Sequence, residues 1–207
     1  MNDIDSFEHC FARTRPGVML DIGANLGQIT RRMATKATTV YAFEPGTLNF
    51  NQLTTNLNDI PNAVPVHAAI GNTTGEIPLY LHSAGEVSEG HTISDIKVAA
   101  GTFGHSFGRK ELIQGYRLDD WCEENNVTDI SFIKIDVEGA EEYVLEGALK
   151  TLTNNNCFVS LEIHQTVNCQ KINQYLIDCG YTVTENGYDP CEIEIHIPGY
   201  AYICYKK

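Results

Sequence analysis

Two pairs of ionisable residues stand where two apolar runs end. Asp136 and Glu138 follow Ser131-Phe132-Ile133-Lys134-Ile135, and Glu162 and His164 close the run that starts at Cys157. A spacing of two keeps both members of a pair on one face while the strand continues. Carboxylates and an imidazole gathered at strand ends suit removal of a proton from a poor nucleophile such as a hydroxyl. His164 has the ordinary pKa nearest neutrality. The candidate catalytic set is therefore Asp136, Glu138 and His164. Glu138 and Glu141 equally suit the start of a helix, where the dipole favours acids, and His164 equally suits a structural hydrogen bond. Asp136 with Glu162 or His164 offers ligands for a magnesium-like ion, which needs only one or two carboxylates. No dense ligand motif supports a divalent metal, and none is expected.

A second constellation precedes these. Asp21-Ile22-Gly23-Ala24-Asn25-Leu26-Gly27 follows the apolar run Val18 to Ile22 and opens a helical stretch. A dinucleotide fingerprint reads G-x-G-x-x-G. Here the pattern is D-x-G-x-N-x-G, with Ile29-Thr30 where a third glycine would stand. A pyrophosphate wants several free N–H groups at a helix start. S-adenosylmethionine has no phosphate; it has a zwitterionic amino acid, a sulfonium and a nucleoside. Gly23 and Gly27 would let the backbone approach such a ligand, and Asp21 would meet its cationic end. Glu44 closes the next apolar run, where a carboxylate can accept both ribose hydroxyls. The expected cofactor set is Asp21, Gly23, Asn25, Gly27, Glu44, Ala69 and Asp136. An NAD-dependent oxidoreductase would require the missing glycine.

The elements that must hold these residues alternate. Val18 to Ile22, Val40 to Phe43, Val64 to Ile70, Ser131 to Asp136 and Cys157 to Ile163 read as buried strands. Residues 27 to 35, residues 46 to 58, Leu118 to Glu124, Ala140 to Leu152 and Gln170 to Cys179 read as helices, the last stopped by Gly180. Strand and helix in turn are the mark of parallel βαβ units with both sheet faces covered. Ile77 to His82 is a further strand. Tyr181 to Glu185 and Tyr200 to Tyr205 form a C-terminal antiparallel hairpin, and Glu192 to His196 alternates like an edge strand. The expected fold is α/β: a Rossmann-like three-layer sandwich around a mostly parallel seven-stranded sheet.

The chain has 207 residues, 43% of them apolar and 20% charged, which fits one globular domain spanning 1–207. Its formal charge of −13 repels phosphate backbones, so a nucleic acid is a disfavoured partner. No apolar run approaches the ~20 residues a membrane span needs. Met1 to Arg15 holds three acids and no apolar h-region, so no secretory signal is read there and a cytoplasmic protein is expected. The seven cysteines contain no C-x-x-C, which disfavours zinc knuckles and fits reduced thiols. Residues 83 to 117 read as the least regular segment. It contains His91, His105, Phe103, Phe107, Arg109 and Lys110, and is expected to be an insertion capping the acceptor pocket.

Three stretches carry a family resemblance: Leu20-Asp21-Ile22-Gly23-Ala24-Asn25-Leu26-Gly27, Ala42-Phe43-Glu44-Pro45, and Phe132-Ile133-Lys134-Ile135-Asp136-Val137-Glu138-Gly139-Ala140-Glu141. With Leu118-Asp119-Asp120 before the last motif and Leu145-Glu146-Gly147-Ala148 after it, the chain resembles the FkbM family of methyltransferases over about residues 17 to 165. The resemblance implies a class I methyltransferase fold, S-adenosylmethionine as methyl donor, and methylation of a hydroxyl on a small sugar or natural product. By analogy of fold, Asp136 sits at the strand end beside the donor. Methylation of nitrogen, peptide or RNA stays open within enzymes. A cofactor-binding module without catalysis is the reading from another class. Acceptor, base and oligomeric state are not legible.

Overall fold

The computed structural model describes residues 3–82, 90–95, 107–164, 167–185 and 200–206. Its main sheet has seven strands: β1 (Val18–Ile22), β2 (Thr39–Phe43), β3 (Ala63–Val66), β7 (Ile130–Ile135), β8 (Phe158–Ile163), β9 (Thr182–Glu185) and β10 (Tyr200–Tyr205). They lie in the order β3-β2-β1-β7-β8-β10-β9. All pairs from β3 to β8 are parallel, and β10 enters antiparallel between β8 and β9. This is the Rossmann-like sheet with a C-terminal antiparallel hairpin, and its order reverses between β1 and β7. Open α/β sheets bind ligands at such a switch point.

Alternation along each strand feeds two helical layers. Met19, Val40 and Phe132 join Met33, Phe7, Cys10 and Phe11 on one face; Leu20, Ile133 and Ile135 join Val144, Leu145, Leu152 and Leu176 on the other. The first layer is α1 (Asp3–Arg13), α2 (Gln28–Ala34) and α3 (Thr47–Asn56). The second contains α4 (Leu118–Glu124), α5 (Glu141–Glu146), α6 (Leu149–Asn154) and α7 (Cys169–Asp178). Trp121 of α4 meets Tyr41 and Phe43 edge-on, at centroid distances of 4.9 and 4.8 Å.

Several sequence expectations need correction. The run Val64 to Ile70 is two strands. The chain leaves the main sheet at His67, whose ring stacks on Phe50 and whose Nε2 lies 3.2 Å from the Pro45 carbonyl oxygen. It then re-enters as β4 (Ala69–Gly71) in a second sheet ordered β4-β6-β5, with β5 Gly75–His82 and β6 Phe107–Arg117. Residues 107–117, expected to be irregular, therefore form an 11-residue strand antiparallel to β5. The helix expected over Ala140 to Leu152 is also two. A Cβ at Gly147 would lie 1.9 Å from the Gly71 carbonyl oxygen, so β4 presses directly on the backbone where α5 ends. Helix α1 was not expected at all. Phe103 and His105, much of the 83–117 segment, and the run Glu192 to His196 lie outside the described residues.

Candidate active site

Gly23, straight after β1, has φ +86°, and a Cβ there would lie 1.8 Å from the Asp136 carbonyl oxygen. Only glycine accepts both the left-handed backbone and that approach. The contact sets the β1 loop against the end of β7. Asn25 is also left-handed, with φ 48°, and its N–H donates to Glu44 Oε2 at 2.9 Å. Gly46 N–H donates to Glu44 Oε1 at 2.8 Å. Each carboxylate oxygen keeps a lone pair for another donor. Burial, opposed by the N–H groups of Gly46 and Asn25, pushes Glu44 up to about 7.

A cleft of about 320 Å³ opens here, within the size range of small-molecule sites. Ile22, Phe43, Ile70, Leu79 and Ile93 give it apolar walls, while Gly23, Asn25, Glu44, Ala69, Asp136 and Glu138 line it as sequence reasoning expected. Among the described residues its lining includes four acids, with Glu162 the fourth, and neither lysine nor arginine. Asp21, Gly27 and His164 are not in that lining; His164 stands behind Asp136, Glu138 and Glu162. Asp21 is 1% exposed and accepts from Thr30 Oγ1 at 2.5 Å, which ties β1 to α2; burial, against Thr30 and Lys134, pushes it up to about 6. At Gly27 a Cβ would meet Leu53 at 2.7 Å and Leu57 at 3.2 Å, so this glycine lets α3 pack close.

The end of β7 and β8 gathers the charge. Asp21 pairs across the sheet with Lys134, and Lys134 with Ser160. Two residues beyond Lys134, on the same face, comes Asp136. Lys134 is buried, with Nζ 3.1 Å from Asp136 Oδ2 and 3.7 Å from Glu162 Oε2. Burial alone would lower Lys134, but Asp136, Glu162 and Asp21 raise it. Burial opposes ionisation of Asp136, yet Lys134 and His164 hold it below the usual carboxylate range. His164 Nε2 sits 3.8 Å from Asp136 Oδ1, 3.6 Å from Glu138 Oε2 and 3.8 Å from Glu162 Oε1. Its Nδ1 lies 2.7 Å from Glu141 Oε1. Burial would depress His164; the Glu141 hydrogen bond and the charges of Glu141, Glu138 and Asp136 outweigh it and raise it to about 9. Asp136, Glu138 and His164 also bring one potential ligand atom each within 4.8 Å of one another.

Sequence reasoning missed Asn49 and Lys134; His91, from the segment expected to cap the acceptor pocket, lies in the cleft lining. Asn49 Nδ2 donates to Asn25 Oδ1 at 2.8 Å, bracing the loop from α3. His91 Nδ1 accepts from His82 N–H at 3.2 Å; burial first, and His82 second, lower its pKa. Lys134 had a signal: a lysine between isoleucines in a buried strand must find an acid.

The model of the methyltransferase FkbM domain matches residues 21–183. The chain belongs to the FkbM methyltransferase family. The hexuronic acid methyltransferase AglP of Haloferax volcanii is 30% identical to this FkbM chain over 165 residues, 77% of this chain and 61% of that protein. The 2-O-methyltransferase NoeI of Sinorhizobium fredii is 29% identical over 144 residues, 66% of this chain and 59% of that protein. The chain thus spans about three fifths of the length of these curated relatives. Among solved structures, FkbM from Methylobacillus flagellatus superposes with a TM-score of 0.56 at 17% identity, covering 90% of this chain and 42% of that one. A Streptococcus mutans protein in complex with SAH gives 0.60 at 12% identity, covering 100% and 99%. At these identities the structures show the shared Rossmann-like fold. No helix among the described residues is long and apolar enough to cross a membrane.

Proposed function

We propose that the chain is an S-adenosylmethionine-dependent methyltransferase acting on a hydroxyl of a small sugar or natural-product acceptor. The observation that carries this reading is the lining of the cleft: Glu44 at one strand end, Asp136, Glu138 and Glu162 at others, and no lysine or arginine among the described residues. A pyrophosphate cofactor would meet only like charge there. A cationic nucleoside fits: Glu44 has lone pairs for ribose hydroxyls, and the acids at β7 and β8 suit a sulfonium and an ammonium. The Streptococcus mutans neighbour was solved with SAH, and both curated relatives are named as methyltransferases, one for a hexuronic acid and one for a 2-O position. These support the donor and the sugar hydroxyl.

S-adenosylmethionine, when bound, supplies a methyl group on a good leaving group. The protein's share is then alignment and proton removal. Glu44 and the Asn25 loop hold the nucleoside end. Asp136 and Glu138 face the cleft and orient the acceptor O–H, and its proton passes to His164 Nε2 when that nitrogen is unprotonated. Residues 90–95 supply Gly90, His91, Thr92 and Ile93 to the lining, and with the rest of the 83–117 segment are the part that chooses the acceptor. No metal step is invoked: Lys134 already stands as a buried cation between Asp136 and Glu162, and turnover is expected to survive EDTA.

Titration calorimetry with S-adenosylhomocysteine and with NAD tests the reading. Binding of the first and not the second supports it. Binding of neither rejects the donor site and leaves a family member without a working cofactor pocket.

A further inference from the structure

The acid deepest in this cluster has no place in cofactor binding. Glu141, the first residue of α5, is 0% exposed and does not line the cleft. Its position follows from a tight bend: Glu138 and Gly139 are both left-handed, with φ 56° and 92°, so the chain doubles back and Gly139 N–H donates to Glu141 Oε1 at 3.0 Å. The same oxygen lies 2.7 Å from His164 Nδ1. Glu141 Oε2 has no hydrogen-bond partner among the described residues. A fully buried carboxylate with an unmatched oxygen is costly, more than closing a loop requires.

We propose that Glu141 is the positioning residue for His164: it keeps a proton on Nδ1 and turns Nε2 toward Asp136, Glu138 and Glu162 at the cleft. The geometry leaves little alternative. Glu141 Oε1 already accepts from Gly139 and, as a carboxylate, can only accept from His164, so Nδ1 is the donor. Nε2 is then the nitrogen that gains or loses the proton. An acid behind an imidazole that fixes its tautomer and stabilises its cationic form is a general device for proton transfer. Among the described residues the charged groups that bear on the ring are Glu141 on the Nδ1 side, Asp136, Glu138 and Glu162 on the Nε2 side, and Lys134 behind Asp136 and Glu162; the half-buried, titratable Cys169 thiol of α7 lies near Glu141.

This inference rests on the reading of His164 as the base, and the test separates the two. Nitrogen-15 labelled histidine is observed by NMR in the whole protein. In the unaltered chain Nδ1 is expected to stay protonated at high pH while Nε2 titrates; an Nε2–H tautomer there would overturn the proposal without any variant. Glu141→Gln keeps the shape and removes the charge. Its His164 midpoint should fall by about one pH unit or more, the kcat reached on the alkaline plateau should fall by about tenfold or more, and the affinity for S-adenosylhomocysteine should stay within about twofold. The acid limb of the kcat profile should move with the NMR midpoint. An unmoved midpoint in folded Glu141→Gln rejects the positioning role. A moved midpoint with an unmoved rate profile keeps Glu141 as the residue that sets His164 and removes His164 as the base. In a His164→Gln background, Glu141→Gln should cost no further activity; a full second loss would show that Glu141 acts otherwise.

Discussion

Lys134 Nζ lies 3.1 Å from Asp136 Oδ2 inside the sheet, and the same ammonium lies 3.7 Å from Glu162 Oε2. One buried cation thus neutralises the roots of two strands whose tips face the cleft. Lys134→Met would fill the space and leave Asp136, Glu162 and buried Asp21 facing one another. Removing one partner of a buried ion pair costs about 3–5 kcal/mol, so urea unfolding should show a loss of that order. Adding Asp136→Asn should recover part of it, because one uncompensated charge is gone. A loss under about 1 kcal/mol would mean that water already screens the cluster and that Lys134 does not hold it.

Gly23 is the second point at which the site and the fold are the same thing. Gly23→Ala must place a Cβ 1.8 Å from the Asp136 carbonyl oxygen at φ +86°. The backbone strain alone costs about 1–2 kcal/mol, and separating β1 from β7 adds to it. The melting temperature should fall by roughly 10 °C or more, with S-adenosylhomocysteine binding lost even where the variant folds. A variant with wild-type melting and affinity would show that the loop relaxes freely.

The strands that position the site were legible because burial on both faces leaves mostly apolar runs, as in Val18 to Ile22, broken by Asp21, and Ser131 to Ile135, broken by Lys134. What failed needed a partner distant in sequence. Val64 to Ile70 reads as one strand, since nothing within it announces that β4 pairs with β6 at Gly115 to Arg117. Gly147 reads as a helical residue until Gly71 is brought against it. Helix α1 did carry a signal, Phe7, Cys10 and Phe11 at helical spacing, all buried. At the site, the motif residues Gly23, Glu44 and Asp136 reach the cleft, whereas Asp21 turns inward to Thr30. A D-x-G pattern cannot tell a ligand-facing acid from one that fastens a strand to a helix.

Because of that inward turn, Asp21→Ala removes the acceptor of the Thr30 hydroxyl in the core and should destabilise by about 1–3 kcal/mol, so a loss of binding in it would report folding rather than ligand contact. Glu44 is the cleaner probe. Its carboxyl is raised to about 7 by burial, and only the ionised form accepts from both ribose hydroxyls. Affinity for S-adenosylhomocysteine should therefore rise with pH up to about 7 and level off above it, changing up to about tenfold per unit on the acid side. Glu44→Gln should weaken binding by about tenfold or more and flatten that dependence. Calorimetry between pH 5.5 and 8.5 checks both, and a wild-type affinity that is flat across this range would remove Glu44 from the ribose.

His164 sets activity and stability against each other as pH rises. Its folded pKa is raised to about 9 from the ordinary histidine value of 6.5, so the folded state holds a proton that the unfolded state releases. The stabilisation is fully present below 6.5 and is lost as pH climbs through about 9, because there the unfolded chain binds fewer protons than the folded one. At 1.36 kcal/mol per unit, the loss over that window is about 3 kcal/mol. In the same window the unprotonated Nε2 that can accept the acceptor's proton becomes more abundant, so kcat should climb up to about tenfold per unit below pH 9. Thermal melts and initial rates, measured together from pH 6 to pH 9.5, should therefore run in opposite directions. In His164→Gln the melting curve should flatten over that range and the rate should lose its pH dependence. A wild-type rate that is level from pH 6 to 9 would assign the proton to Asp136 or Glu138, whose carboxylates face the cleft and are not limited by the imidazole.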